Sequence, residues 1–282
     1  MPSWFFAANP RRILRIGKTG KGCSPERGRE GEGMHIKEDY ELQGMRAIGA
    51  VVASILGSLA RRAAPGRSTL DLDSYCSRLL IGHGARSAMR RERGFPGHVC
   101  ISVNDEVIHG IPSDRLLQRG DVVSLDLVAE KDGFYADAAV TLALSRTPGH
   151  QDALIRCAER SLEAALEYAR AGCRISDLTA AIHHTVTGAG FSVIPELCGH
   201  GVGRSIHEPP VIPNCPSSQE DTVLYPGLVL ALEPVITEGG GATRLASDGW
   251  TVTTADGSLA AHYEHTILIT EGDPEVLTLE HP

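Results

Sequence analysis

The chain has 282 residues, 42% of them hydrophobic and 22% charged, with a formal net charge of −8. That length fits one large domain or two small ones, the composition is that of an ordinary globular protein, and the negative balance argues against a nucleic-acid-binding surface. Seven cysteines (Cys23, Cys76, Cys100, Cys157, Cys173, Cys198 and Cys215) are odd in number and form no CxxC. They point to reduced thiols in a cytoplasmic protein, not to a disulfide framework or a zinc knuckle. The longest apolar run, Ala47 to Ala60, is too short for a membrane span, and Trp4-Phe5-Phe6 has neither the length nor the basic flank of a secretory signal.

Residues 1–33 carry seven Lys/Arg against three Glu and no apolar period, which predicts a disordered tail. A targeting presequence would not normally hold Glu26, Glu30 and Glu32. A third reading makes Met34 the true start, since Arg29-Glu30-Gly31-Glu32-Gly33 is encoded by purine-rich codons like those of a bacterial ribosome-binding site. Residues 34–282 then form a single domain in two related halves, about 37–147 and 148–279.

From Lys37 the pattern is helical. Leu42, Met45, Ile48, Val52, Ile55 and Leu59 recur at three- and four-residue spacing until Pro65-Gly66. A second helix starts near Ser68-Thr69 and runs through Leu72, Cys76 and Leu79 to Gly82 and Gly84. Short β segments follow, HVCISV and EVIHGI. Next comes GDVVSLDLVAEKDGFYADAAV (120–140), which alternates like a hairpin turning at Asp132-Gly133. If those two residues are the loop, Lys131 pairs with Phe134 and Asp126 faces Ala139. Asp137 then lies on the same face, ~7–8 Å from Asp126. Two such carboxylates buried in apolar strands would repel and resist ionisation, so a positive charge belongs between them; the alternative for the hairpin alone is a surface-facing pair beside a lysine.

After Pro148 the order recurs: a helix through Leu154, Ala158, Leu162, Ala165 and Leu166 to Gly172, another from Ser176 to Gly190, then strands. Shifted by 106, Gly66, Asp71, Leu72 and Gly84 fall on Gly172, Asp177, Leu178 and Gly190. Shifted by 107, Gly120, Val122, Leu125, Asp126 and Val128 fall on Gly227, Val229, Leu232, Glu233 and Val235, and VIHGIP (107–112) echoes SIHEPP (205–210). Shifted by 127, Asp137 falls on Glu264. An internal duplication follows, with acidic residues matched twice inside apolar strands.

Each half thus contributes two strand carboxylates, and a pseudo-twofold would gather Asp126, Asp137, Glu233 and Glu264. His200 in CGHGVG completes the set. Hard oxygen donors with one imidazole and no thiolate suit Mn, Fe(II), Co or a pair of Zn, and four carboxylates fit a two-metal hydrolytic site. His109 and His207 share an Ile-His-x-x-Pro context and could hydrogen-bond a substrate amide. His83, His98, His150, His183, His184 and His262 read as ordinary satisfied or exposed side chains. The glycines of GHGVG suit a loop that lets backbone approach a ligand.

HGIP (109–112), LDL (125–127), ADAA (136–139), GHGVGRSIHEPP (199–210), LEPV (232–235), DGWTV (248–252) and YEHT (263–266) together resemble the type I methionine aminopeptidases. The resemblance runs in order from Met34 to Leu279. It implies the duplicated pita-bread α/β (α+β) fold, helix–helix–strand halves around a central antiparallel sheet. The activity it implies is removal of the initiator methionine from nascent chains whose second residue is small and uncharged. By the same resemblance Asp126, Asp137, His200, Glu233 and Glu264 hold two divalent cations (Co, Mn, Fe(II) or Zn), with Asp137 and Glu264 bridging. His109 and His207 contact substrate near the scissile bond, Glu233 takes a proton from the attacking water, and Phe95, Cys100 and Trp250 line the methionine pocket. A cytoplasmic monomer acting on nascent polypeptides at the ribosome is implied, with no membrane or nucleic-acid partner.

The sequence departs from that family at the pocket. Met89-Arg90-Arg91-Glu92-Arg93 stands where a Cys-Leu-Gly-Tyr-like run is usual, and Ile206 replaces an aromatic. Four consecutive charged residues read as a solvated loop, with Met89 turned inward. A dinuclear aminopeptidase of altered P1 or Xaa-Pro preference is the alternative, and a non-catalytic relative is disfavoured because all five ligands are present.

Overall fold

The computed structural model describes residues 33–144, 150–216 and 221–279, so residues 1–32, which hold nearly all of the expected tail, lie outside the described part. Helix α1 (Asp39–Arg62) opens the first half, with α2 (Thr69–Gly82) packed beside it. Acidic Asp39 and Glu41 sit at the start of α1 and Arg61 and Arg62 at its end, each complementing the helix dipole. The Glu41 carboxylate accepts from the backbone N–H of Lys37 (3.0 Å) and Glu38 (3.3 Å), satisfying donors just ahead of the helix. Met45, Ile48, Val52, Ile55 and Leu59 form its fully buried stripe, and Leu42, the first residue of the predicted period, is half-buried against the same core. This 24-residue helix is long and apolar enough to cross a membrane by length and composition, which the count of Ala47–Ala60 underestimates. Half of its apolar stretch is buried inside the fold, against the strands Val122–Lys131 and Phe134–Ala143 of the same half.

The strands of the first half are β1 (Arg86–Ser87), β2 (Cys100–Val103), β3 (Glu106–Ile108), β4 (Val122–Lys131) and β5 (Phe134–Ala143). Helices α3 (His150–Leu166) and α4 (Ile175–Gly188) open the second half. There follow β6 (Ser192–Val193), β7 (Cys198–Gly201), β8 (Glu208–Pro213), β9 (Val229–Leu232), β10 (Val235–Thr237), β11 (Thr243–Leu245), β12 (Val252–Thr254), β13 (Ala260–His262), β14 (His265–Leu268) and β15 (Glu275–Val276). Helix α3 stops at Leu166, short of the expected Gly172, because the chain tightens into i→i+3 turns at Tyr168 and Ala169.

The duplication is visible in the hydrogen bonding. Gly66 N–H donates to the Leu117 carbonyl and Leu117 N–H to Arg67; Gly172 N–H donates to Leu224 and Leu224 N–H to Cys173. The bridges Ser68–Leu116 and Arg174–Val223 match in the same way. Each second helix begins where an aspartate three places on accepts the N–H of the residue before it, Asp71 from Ser68 (3.4 Å) and Asp177 from Arg174 (2.8 Å).

Strand β4 pairs with β5 along its whole length on one edge and with β2 and β1 in succession on the other. Asp132 and Gly133, at φ 53° and 79°, form the two-residue turn that the strand twist favours, with Lys131 opposite Phe134 as the alternation predicts. The second half builds the sheet β15-β14-β9-β7-β8. The two sheets meet between Ala139 and Glu264, whose N–H and C=O groups exchange bonds of 3.2 and 3.0 Å. Two residue pairs further on, Thr266 Oγ1 accepts from Asp137 N–H (2.9 Å) and donates to the Asp137 carbonyl (2.7 Å). One apolar core lies under the first half and another under the second, and the seam runs between them.

Candidate metal centre and substrate pocket

All four carboxylates sit at this seam. Asp126 in β4 faces Ala139, and Asp137 in β5 faces Val128, so both point from one face of the hairpin. In the second half, Leu232 pairs with His265, which puts Glu233 and Glu264 side by side just beyond the end of the β9–β14 ladder. His200, in β7, is carried to them by the pairing of β7 with β9.

Ligand-type atoms of Asp137, His200 and Glu264 lie within 4.8 Å of one another. His200 Nε2 is 3.4 Å from Glu233 Oε1, and Asp126 and Asp137 are hydrogen-bonded. The His200 Nδ1 lies 2.9 Å from the Gly201 carbonyl, which can only accept. Nδ1 therefore carries the proton, and the Nε2 lone pair faces the carboxylates, as a metal-binding imidazole requires.

Burial dominates the electrostatics. It raises the Asp126 carboxyl to about 7 and pushes Asp137, Glu233 and Glu264 well above the usual range, with neighbouring carboxylates adding to the last three. The same burial lowers His109 and His200 to about 4 and His207 well below its ordinary value, the last helped by His200 and the Arg93 guanidinium. Four acids that resist ionisation beside neutral imidazoles form a hole for positive charge. Buried Asp137 Oδ1 and Glu264 Oε1 have no hydrogen-bond partner among the described residues. Orphaned carboxylate oxygens with an adjacent imidazole lone pair are a donor set that fits divalent cations.

His207 stacks edge-on against His200, ring centroids 4.2 Å apart. Its loop is pinned by Glu208, whose carboxylate accepts from backbone N–H of Met34 (2.5 Å), Arg204 (2.6 Å) and Ser205 (2.8 Å). His109 is buried at φ 57°, a conformation that is uncommon for a non-glycine residue and clusters at functional sites. The glycines around His200 serve packing. A Cβ at Gly199 would strike the Ala231 carbonyl and one at Gly201 the Pro209 carbonyl, so they let strands approach rather than a ligand, contrary to the sequence expectation.

His262 overturns its bland reading. It is 2% exposed, its Nε2 has no hydrogen-bond partner among the described residues, and that atom lies 3.6 Å from Glu264 Oε2 and 3.9 Å from Glu233 Oε2. The signal was its place two residues before Glu264, which puts it at the end of the strand entering the site.

Phe95, Cys100, Met89, Ala88, Val128 and Ile206 form a buried apolar cluster, with Ile111, Tyr135 and Trp250 packed against it. Phe95 and Trp250 meet edge to face at 5.4 Å. The Cys100 thiol is hydrogen-bonded to Asp126, joining this pocket to the carboxylates. Met89–Arg93 is a single π-helical turn closed by Gly94 in the left-handed region. Met89 is buried, Arg90, Arg91 and Glu92 are exposed, and Arg93 is half-buried. Phe95, Cys100 and Trp250 are thus together, and Ile206 supplies apolar bulk where an aromatic was missed.

A duplicated fold with acids and imidazoles converging from both halves defines a metallopeptidase, and the chain belongs to metallopeptidase family M24, whose model matches residues 43–271. Within it the chain falls among the methionine aminopeptidases. It is 42% identical over 247 residues to methionine aminopeptidase 2 of Bacillus subtilis, covering 87% of this chain and 99% of that one. The crystal structure of methionine aminopeptidase from Thermotoga maritima superposes with a TM-score of 0.85 at 38% identity, over 88% of this chain and 100% of that one. The prolidase of Pyrococcus furiosus, at 22% identity and a TM-score of 0.72 over 88% of this chain and 66% of that one, shares the pita-bread fold.

Proposed function

We propose that this protein is a methionine aminopeptidase that removes the initiator methionine from chains whose second residue is small and uncharged, using two divalent cations. The observation that carries the reading is the convergence of Asp126, Asp137, His200, Glu233 and Glu264 beside the apolar cluster of Met89, Phe95, Cys100 and Ile206. When bound, divalent cations would supply Lewis acidity and lower the pKa of water at the site.

The chain's own residues do the rest. Glu233, half-buried beside His200, takes the proton of the attacking water. His109 and His207, held neutral by burial, offer N–H groups to the scissile carbonyl and to the tetrahedral oxygen that develops from it. Phe95, Cys100, Trp250 and Met89 enclose an unbranched apolar side chain and exclude water. The second substrate residue meets the crowded His207 loop, which favours small side chains. We infer a monomer in the cytoplasm that meets its substrates as they leave the ribosome, with Mn, Fe(II), Co or Zn as the ions.

The test is hydrolysis of Met-Ala-Ser against Leu-, Arg- and Xaa-Pro peptides by metal-free protein resupplied with each ion. Preference for Met-Ala-Ser is expected. Preference for Xaa-Pro or Arg peptides would overturn the reading.

A further inference from the structure

The hairpin register places more than carboxylates on the site face. Cys100 pairs with Asp126, Val128 with Asp137 and Glu130 with Tyr135, so Cys100, Asp126, Val128, Asp137 and Tyr135 all rise from one side of the sheet. Tyr135 stands two residues from Asp137, about 7 Å along the strand, in the direction of solvent. Its ring packs against the apolar cluster of Met89, Phe95, Cys100 and Ile206. Its hydroxyl donates to the Glu92 carboxylate, at the far end of the π turn that carries Met89.

The turn has further anchors. Arg91 reaches Glu130 at 3.3 Å, Arg90 N–H donates to Ser87 Oγ at 3.3 Å, and the Arg90 guanidinium reaches the Pro96 carbonyl. These bonds hold the turn to β1, β4 and the following loop. The Tyr135–Glu92 bond ties it to β5, the strand of Asp137.

We propose that Tyr135, latched to Glu92, is a specificity-determining wall of the P1 pocket. Its ring closes the side left open by the charged run, and its hydroxyl holds Met89 over the bound side chain. The pocket then fits a long, unbranched apolar residue and rejects branched or aromatic ones. Glu92 acts as a positioning residue, through Tyr135, and touches no substrate. The inference rests on the aminopeptidase reading above.

The experiment compares the full-length metal-loaded protein with Tyr135→Phe, Tyr135→Ala, Glu92→Gln and Glu92→Ala on X-Ala-Ser peptides, X being Met, norleucine, Leu or Phe. Tyr135→Phe and Glu92→Ala should shift kcat/KM toward Leu and Phe relative to Met by about three- to tenfold, the worth of one hydrogen bond. The change should lie in KM for the Met peptide, with kcat and metal content unchanged. Tyr135→Ala should shift the ratio further, and Glu92→Gln should retain most of the parental preference. Selectivity ratios within twofold of the parent in both Tyr135→Phe and Glu92→Ala would overturn the latch. Failure of the parent protein to cleave any Met peptide would instead overturn the aminopeptidase reading beneath it.

Discussion

Stripping the metal should make this protein less stable as pH rises above neutrality. Asp126 has its folded pKa raised by burial to about 7 against an ordinary 3.8. A carboxyl raised in this way holds its proton in the folded state while the unfolded chain releases it. Its contribution is whole below the unfolded value and is lost as pH climbs through 7. His109, His200 and His262, lowered by burial to about 4, 4 and 3, act in the opposite sense, since the unfolded chain binds their protons first. Their contribution rises with pH and is complete about one unit above the ordinary histidine value of 6.5, as is that of His207 and His265, which burial also lowers. The window from pH ~7.5 to ~8.5 therefore isolates the carboxyls. Asp126 has little left to lose there, and each of Asp137, Glu233 and Glu264 still protonated gives a falling slope of at most ~1.4 kcal/mol per pH unit. For a chain of this size ~1 kcal/mol is ~2–4 °C in Tm. Melts of chelator-treated protein should thus fall by ~3 °C or more between pH ~7.5 and ~8.5, while protein saturated with Mn or Co stays flat. A flat or rising metal-free curve would refute the claim that burial holds these acids neutral.

Other substitutions probe single parts. Glu264→Ala or Asp137→Ala should release bound metal and lower activity by at least ~10²–10³-fold, and near-normal hydrolysis would sink the two-ion reading. His262→Leu should cost ~10-fold in metal affinity, measured by metal retained on dialysis, whereas His262→Gln keeps a donor and most of the affinity. Glu208→Ala strands three backbone N–H groups and should destabilise by ~1–3 kcal/mol in denaturant melts while raising KM, because His207 is the next residue.

What could be read from the sequence divides along physical lines. The hairpin was legible because alternation and a turn with positive φ at both loop residues leave only one register, and the register alone put Asp126 and Asp137 on one face. The same alternation put Val128 and Tyr135 there, but an apolar residue and a tyrosine in a strand carry no alarm of the kind a carboxylate does. The helix pairs were legible from their periods, and the duplication from matched glycines. The bonds from Thr266 to Asp137 and from Glu264 to Ala139 were not, because they join parts of the chain more than a hundred positions apart and no local pattern encodes them. His262 escaped notice for a related reason: beside Ala260 and Ala261 it looks like a strand residue, and only the sheet pairing brings Glu233 to it. The GHGVG glycines mislead because close backbone approach looks the same in a sequence whether a ligand or a neighbouring strand is the one approaching.

The position of the site on the seam bears on how the protein folds. The core beneath the second half draws its buried side chains from Leu154 to Ile269 alone, and most of the first core comes from residues before Leu144. Each consolidates mostly through contacts within its own half. The β5–β14 junction closes a loop from Asp137 to Thr266 and gains its bonds only after both sides are in place. Competence to bind an ion is therefore acquired last. During refolding, helix signals should recover ahead of metal uptake, and a divalent cation added from the outset would speed no step before the halves dock but would hold them together once they have.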